Sequence, residues 1–158
     1  PAPQAAAPSG PRTWRRAGTH GGRPLFVVEG AALPRALADP DTRPVEYACS
    51  AFGLQSHGPR SMAFAYDPSG RCVCEERLFL NVSRIPRANG LPASAAAALW
   101  AAEVARAVAH QGLGPGVDER LLQVQAELLA HALPETLRRA ARAEGGAAGG
   151  GLPPGAHA

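Results

Sequence analysis

The 158-residue sequence predicts an α+β fold, in which a small antiparallel β-sheet with a hairpin precedes an antiparallel helical hairpin and a short third helix. Short β-favouring runs bounded by turn residues lie in the first half, whereas apolar residues recur at helical spacing after Pro92. Both ends are rich in Ala, Gly and Pro. We therefore expect a flexible N-terminal segment over 1–24, a single α+β domain over 25–143 and a disordered Gly/Pro-rich tail over 144–158.

Composition limits both the hydrophobic core and the possible functions. Ala fills 34 positions, whereas Leu, Val, Ile and Phe together fill 30, which is near the lower limit for a folded protein. All 16 basic residues are Arg, but they are scattered, the net charge is only +3 and there are few aromatic residues to stack on bases. No apolar run reaches the ~18 residues that cross a bilayer. We expect a small soluble domain that binds no nucleic acid.

The first β-favouring run consists of Leu25, Phe26, Val27 and Val28, and Gly30 ends it. No hairpin partner follows it closely. We therefore expect this run either to bind a partner chain by strand addition or to lie in the sheet of its own chain.

Three further runs favour strands. Residues 45–49 alternate with a period of two, which indicates a strand. Residues 62–66 and 71–74 flank the sequence Asp-Pro-Ser-Gly. This sequence favours a turn, because Pro presets one turn angle and Gly accepts a positive φ. These two runs predict a β-hairpin. Residues 78–85 fit a strand or a single helical turn.

Helical spacing begins after Pro92. Ser94 is a suitable N-cap, and the first helix is expected to run over 95–111 and to stop at Gly112. Its inward stripe would contain Leu99, Trp100, Val104, Ala107 and Val108, with Glu103, Arg106 and His110 facing water.

The second helix is expected to begin at an acidic N-cap, Asp118, and to end at Pro134. The loop over 112–117 is short enough to make the first two helices antiparallel neighbours. A third helix is predicted over 135–143.

The chain contains three cysteines, Cys49, Cys72 and Cys74. A thiolate zinc site needs four ligands, usually in paired C-x-x-C motifs. This chain has three sulfurs, two of them in a C-x-C spacing, and His57 would have to be the fourth ligand. We therefore predict no metal site. On a strand, Cys72 and Cys74 share a face and do not readily pair with each other. One of them would pair with Cys49 and the other could bridge a second chain, unless all three are unreactive thiols of an intracellular protein.

Asn81 begins an Asn-Val-Ser sequon, which makes it a glycosylation candidate in a secreted chain. The sequence has no signature of a phosphate-binding loop, a dinucleotide fold, a zinc protease or a nucleophile elbow. We therefore predict no catalytic residues and no cofactor. A cysteine-nucleophile enzyme is the catalytic alternative, and it would require a thiol with a depressed pKa.

The stretch over 77–139 resembles herpesvirus glycoprotein L, the small envelope subunit that accompanies glycoprotein H. Upstream, residues 47–49 and 64–67 are similar to the alphaherpesvirus members. The matching segments are LFLNV at 78–82, GLPASAAA at 90–97, the helix at 102–111, the Leu pair at 121–122 and LPETLR at 133–138.

The resemblance implies a non-enzymatic role in virus entry into the host cell. Glycoprotein L binds glycoprotein H as a heterodimer, helps it fold and leave the secretory pathway, and belongs to the complex that triggers the fusion protein. Further viral entry subunits are possible partners. The resemblance also implies a place on the virion envelope and host cell surface, with membrane association only through the partner.

An intracellular role is the alternative. The chain would then be a tegument or adaptor-type interaction domain from a GC-rich genome, and the helical hairpin would serve as its docking surface.

Overall fold

The computed structural model describes residue 8 and residues 12–20, 22–34, 43–54, 61–70, 77–84 and 91–151. The predicted α+β class with a small sheet is confirmed. No helix in these ranges is long and apolar enough to cross a membrane. The elements in chain order are β1 (Trp14–His20), β2 (Arg23–Val28), α1 (Arg43–Ala51), β3 (Met62–Tyr66), β4 (Leu78–Asn81), a 3₁₀ turn (Val82–Arg84), α2 (Ala93–Leu113) and α3 (Glu119–Gly151).

The sheet is mixed, so the prediction of a purely antiparallel sheet is wrong. Its order is β1-β2-β3-β4; β1 and β2 are antiparallel, whereas β2, β3 and β4 are parallel. β3 forms the strand expected at Met62–Tyr66, and the turn after it closes with a 2.9 Å hydrogen bond from Gly70 N–H to the Asp67 carbonyl. The neighbours of β3 in the sheet are β2 and β4. Residues 71–74 lie outside the described ranges.

The apolar core lies between one face of this sheet and the helices α1 and α2. Leu25 and Phe64 are direct partners across β2 and β3, and Phe64 packs edge-on against Trp100 of α2. A smaller buried cluster on the opposite face contains Phe26 and Phe79. Burial of alternate side chains on both faces explains why the parallel strands are continuously apolar.

Residues 45–49 form part of a helix, α1, and not the predicted strand. Val45, Ala48 and Cys49 are its buried residues, and their spacing of three and four is helical. Pro44 stands near the start of α1, where its fixed φ and missing N–H are tolerated. A helix at this point supplies the crossover that joins the parallel strands β2 and β3.

A buried guanidinium group braces this crossover. Only 1% of the Arg23 side chain is exposed. Its Nε donates to Glu46 Oε1 at 2.9 Å, its Nη2 donates to Glu46 Oε2 at 3.1 Å, and its Nη1 donates to the Met62 carbonyl at 3.3 Å. Burial alone would lower the pKa of Arg23, but the hydrogen bond with Glu46 and nearby negative charge outweigh it and raise the pKa. Arg23 therefore ties β2, α1 and β3 together as a cation.

The helical hairpin formed by α2 and α3 is confirmed, with changes at its ends. α2 begins at Ala93, one residue before the predicted N-cap Ser94, and Glu144 near the end of α3 accepts its first N–H at 3.0 Å. α2 ends at Leu113, where Gly114 has a φ of +88° and donates to the His110 carbonyl. The predicted cap of α3 is confirmed, because Asp118 Oδ1 accepts the Leu121 N–H at 2.8 Å.

The polar side of α2 is more buried than we expected. His110 is 1% exposed, and its Nδ1 lies 2.8 Å from the Gly114 carbonyl, so Nδ1 carries a proton and donates it. Only 18% of the Glu103 side chain is exposed, and it pairs with Arg84. α2 is covered by α1, α3 and β4.

α3 continues through Pro134, so the separate second and third helices of the prediction are one helix. Pro134 is exposed, whereas Ala132, Thr136 and Ala140 are buried at intervals of four residues on both sides of it. The Thr136 hydroxyl donates to the Ala132 carbonyl at 2.9 Å. This buried stripe holds the helix together where proline removes a backbone hydrogen bond.

Both predicted tails contain regular structure. The flexible segment expected over 1–24 includes all of β1, which pairs with β2 from Trp14 opposite Val28 to His20 opposite Arg23. The backbone of α3 extends to Gly151, inside the tail expected over 144–158. Both segments have few apolar side chains to bury. Strand pairing in the first segment and continuity of α3 in the second nevertheless hold the backbone in regular structure.

Candidate functional site

The polar groups of the described chain concentrate where the parallel strands β3 and β4 end. Because carboxyl ends of parallel strands meet at one edge of a sheet, side chains distant in sequence come together there. We call this set the carboxyl-edge cluster. It contains Arg12, Asp67, Ser69, Asn81 and Ser83.

Asn81 is the centre of the carboxyl-edge cluster. Its Oδ1 accepts the Asp67 N–H at 3.2 Å, and its Nδ2 donates to the Asp67 carbonyl at 3.1 Å. The side-chain amide thus satisfies both backbone groups of the first residue after β3. Oδ1 also accepts the Ser83 N–H at 3.1 Å. With 5% of the residue exposed, Asn81 acts as a buried extension of the β3–β4 pairing.

Asp67 carries the negative charge of the cluster. Its Oδ1 accepts the Ser69 N–H at 3.0 Å and the Ser69 hydroxyl at 2.8 Å, which closes the turn after β3. Its Oδ2 pairs with the Arg12 guanidinium. The Ser83 hydroxyl lies 2.6 Å from the Asp67 carbonyl. Both carboxylate oxygens therefore have partners, Ser69 on Oδ1 and Arg12 on Oδ2, while Ser83 bonds the backbone carbonyl of the same residue.

A second ion pair lies beside the cluster and links it to α2. Arg84 Nε donates to Glu103 Oε2 at 3.3 Å, and Arg84 Nη1 donates to the Gly70 carbonyl at 3.2 Å. No histidine or cysteine takes part in these contacts. Nor does any group of three His, Cys, Asp or Glu side chains within the described ranges offer a metal site. The arrangement joins the turns after β3 and β4 to α2. None of its hydrogen bonds joins a serine to a histidine or lysine base, which is the pairing that activates a serine nucleophile.

The structure changes the interpretation of Asn81 as a glycosylation candidate. A glycan is attached to Nδ2, the atom that donates to the Asp67 carbonyl in the folded chain. A glycosylated Asn81 could not occupy this buried position. Asn81 and Ser83 of the sequon both bond Asp67 in the folded chain.

The predicted disulfide is not formed at Cys49, which is a free and fully buried thiol in α1. Burial raises the pKa of the Cys49 thiol to about 12, while the charge of Arg23 acts in the opposite direction. A thiol with this pKa is a poor nucleophile, so Cys49 does not suit the cysteine-enzyme alternative. Cys72, Cys74 and the proposed zinc ligand His57 lie outside the described residues.

The strand proposed to bind a partner is not accessible. Leu25, Phe26, Val27 and Val28 are all buried in β2, between β1 and β3 in the chain's own sheet. Both edges of β2 are therefore occupied, and strand addition at this position is ruled out. Of the two possibilities open from the sequence, the structure has the strand in its own sheet.

Exposed apolar side chains mark a different surface, which the sequence analysis missed. Leu113, Val117 and Leu122 lie at the connection between α2 and α3, and they are 39%, 69% and 57% exposed. We call these three residues the hairpin tip. Leu122 is exposed, whereas its neighbour Leu121 is buried. On a helical wheel, the edge of the buried stripe falls between these two adjacent leucines, so the spacing of apolar residues does not show which of them is buried.

Neither the sequence nor the fold has a match among known proteins: no family model, curated protein or solved structure is similar to the chain. The contacts of the described residues therefore carry the functional argument.

We expect Asn81→Ala to lower the free energy of unfolding by about 1–3 kcal/mol, because it leaves the buried Asp67 N–H without its partner and removes one of the hydrogen bonds to the Asp67 carbonyl. Urea unfolding followed by circular dichroism measures this change. Ser83→Ala is the control, since it also abolishes the sequon but keeps the bonds between Asn81 and Asp67, and its loss should be clearly smaller. Equal losses, or a glycan on Asn81 of the folded secreted protein detected by endoglycosidase digestion, would contradict the structural role.

Proposed function

We propose that the chain is a non-catalytic subunit that binds glycoprotein H, supports its folding and trafficking, and takes part in membrane fusion during virus entry. The proposal follows the resemblance of residues 77–139 to herpesvirus glycoprotein L. On this proposal the protein acts in the secretory pathway, on the virion envelope and on the host cell surface. It associates with the membrane only through its partner, in a complex that includes the fusion protein and further entry subunits.

One observation carries the proposal of a binding role. All five exposed large apolar side chains in the described ranges lie within residues 91–137, inside the segment that carries the resemblance. They are Leu91, Leu113, Val117, Leu122 and Leu137. Three of these form the hairpin tip. Exposed apolar groups that are grouped together favour burial against another protein.

The hairpin tip is held in a defined conformation, which favours binding. At its α2 side, the Gly114 N–H donates to the His110 carbonyl at 2.7 Å. At its α3 side, Asp118 caps the helix through the N–H of Leu121 and, by its carbonyl, the N–H of Leu122. A preorganised surface loses less conformational entropy on association than a mobile one.

The experiment is co-expression of the secreted chain with the ectodomain of glycoprotein H from the same genome. We expect the double variant Val117→Gln and Leu122→Gln to weaken the complex at least 10-fold, because each buried Val or Leu contributes about 1.5–3 kcal/mol. Co-purified glycoprotein H and a binding titration give the readout.

Leu91→Gln is the matched control. It makes the same chemical change at a side chain that is 44% exposed, but before the start of α2, at the end of the helix opposite the tip. It should leave binding unchanged. A complex of undiminished affinity with the double variant would overturn the role of the tip, and no complex with the unmodified chain would overturn the identity of the partner.

The second candidate is an intracellular tegument or adaptor-type interaction domain that uses the same surface. Two observations favour it. The Cys49 thiol is free and buried, as is typical of an intracellular protein, and the Asn81 amide donates to the Asp67 carbonyl within the chain.

Alkylation of Cys49 gives a direct measurement for the second candidate. In the variant Cys72→Ser and Cys74→Ser, we expect no reaction of native protein with iodoacetamide at pH 8, because burial holds the Cys49 pKa at about 12, and complete reaction in denaturant. Unmodified protein from its native source, denatured without reductant, should also expose Cys49 to alkylation. Protection of Cys49 there would mean a disulfide and would contradict the intracellular candidate.

A further inference from the structure

A cavity of about 490 Å³ lies at the amino ends of β3 and β4. This edge of the sheet is opposite to the edge that holds the carboxyl-edge cluster. The end of α1, the second half of α2 and the middle of α3 surround the cavity. Its size is within the range of small-molecule sites, which is about 300–1,000 Å³. The cavity is separate from the hairpin tip, whose three residues do not line it.

Most of the cavity wall is apolar. Phe52 and Leu54 contribute from the turn after α1, Leu78 from β4, Val108 from α2 and Leu128 from α3. Apolar side chains from four elements offer surface to an alkyl or aryl group, and burying such a group is favourable by about 25 cal/mol per Å².

Three polar side chains, Ser61, Gln111 and His131, also line the cavity, and a positively charged group bonds the first of them. Ser61 lines the cavity next to Leu78 and is 5% exposed. The Arg77 Nη1 donates to the Ser61 hydroxyl oxygen at 2.9 Å, so the guanidinium lies one hydrogen bond away from a residue that lines the cavity. His131 lines the cavity from α3 as a further hydrogen-bonding side chain.

Arg77 has unused capacity to bind an anion. A guanidinium has five N–H donors, and the Ser61 oxygen takes one of them. Among the described ion pairs, Arg12, Arg23, Arg84, Arg138 and Arg139 each pair with a carboxylate, but Arg77 does not. The planar fork of Arg matches a carboxylate, which can accept two parallel hydrogen bonds from it.

We propose that this cavity binds an amphipathic carboxylate, whose alkyl or aryl body lies among Phe52, Leu78 and Leu128 and whose carboxylate accepts hydrogen bonds from Arg77. The site is independent of the binding of glycoprotein H. The carboxylate contributes specificity, and the apolar wall contributes most of the affinity.

Decanoate and decanol are suitable probes, because they share an alkyl body of similar length and differ in the charged head group. Calorimetric titration of the full chain at pH 7.5 should give saturable binding of decanoate at least 10-fold tighter than that of decanol. This factor corresponds to about 1.4 kcal/mol, which is the size of a hydrogen bond to a charged group. Equal affinities, or no saturable binding of decanoate, would overturn the proposal in the unmodified protein.

Two variants place the site. Arg77→Gln should remove the preference for decanoate and leave decanol binding unchanged, whereas Ala132→Trp should fill the cavity and abolish the binding of both probes. Arg142→Gln is the matched control, since Arg142 is an exposed arginine of α3 outside the cavity. Should Arg142→Gln lower decanoate binding as much as Arg77→Gln, the attraction would be a general effect of charge and the assigned site would be wrong.

Discussion

The contacts of Arg23 are the constraint on which the sheet depends. A guanidinium that is withdrawn from water is stable only when its donors are satisfied, and here Glu46 of α1 and the Met62 carbonyl of β3 accept them. The three groups come from three consecutive elements of the crossover. Because Arg23 at the start of β2 bonds both Glu46 of α1 and the Met62 carbonyl at the start of β3, these contacts tie the crossover helix to the two strands that it joins.

The parallel order that results from this crossover determines what stands at each edge of the sheet. At the carboxyl edge, Asn81 of β4 faces the first residue after β3 and satisfies its backbone, while Arg84 joins the same edge to α2. At the amino edge, Ser61 and Leu78 line the cavity together with residues of the helices, and Arg77 donates a hydrogen bond to Ser61. The first edge is closed by its own hydrogen bonds, whereas the second has a guanidinium with unused donors.

Local signals in the sequence predicted local structure well. The helical hairpin, the Asp118 cap and the strand Met62–Tyr66 each depend on residues near one another in the chain, and all three are confirmed. Residues 45–49 could not be assigned by period, because Val45 and Cys49 fit both a two-residue and a helical repeat. The sequence predicted that the second helix ends at Pro134, but α3 continues through it. Buried side chains on both sides of Pro134 stabilise the helix more than the proline destabilises it.

The candidate sites were predicted less well, because they depend on contacts between distant residues. The bonds from Asn81 to Asp67 span 14 residues and exist only in the parallel register of β3 and β4, so the sequence showed a sequon where the fold has a structural amide. The ion pair between Arg23 and Glu46 spans 23 residues and has no sequence signature. Burial of Leu121 rather than Leu122 likewise depends on how α3 packs.

A double-mutant cycle on Arg23 and Glu46 tests the central claim most directly. Urea unfolding of Arg23→Met, Glu46→Gln and the double variant gives their coupling energy. We expect Glu46→Gln alone to cost about 2 kcal/mol or more, because it leaves a buried guanidinium without its carboxylate, and the two changes to be coupled by at least about 1 kcal/mol. Additive effects within about 0.5 kcal/mol would contradict the claim that this pair holds β2, α1 and β3 together.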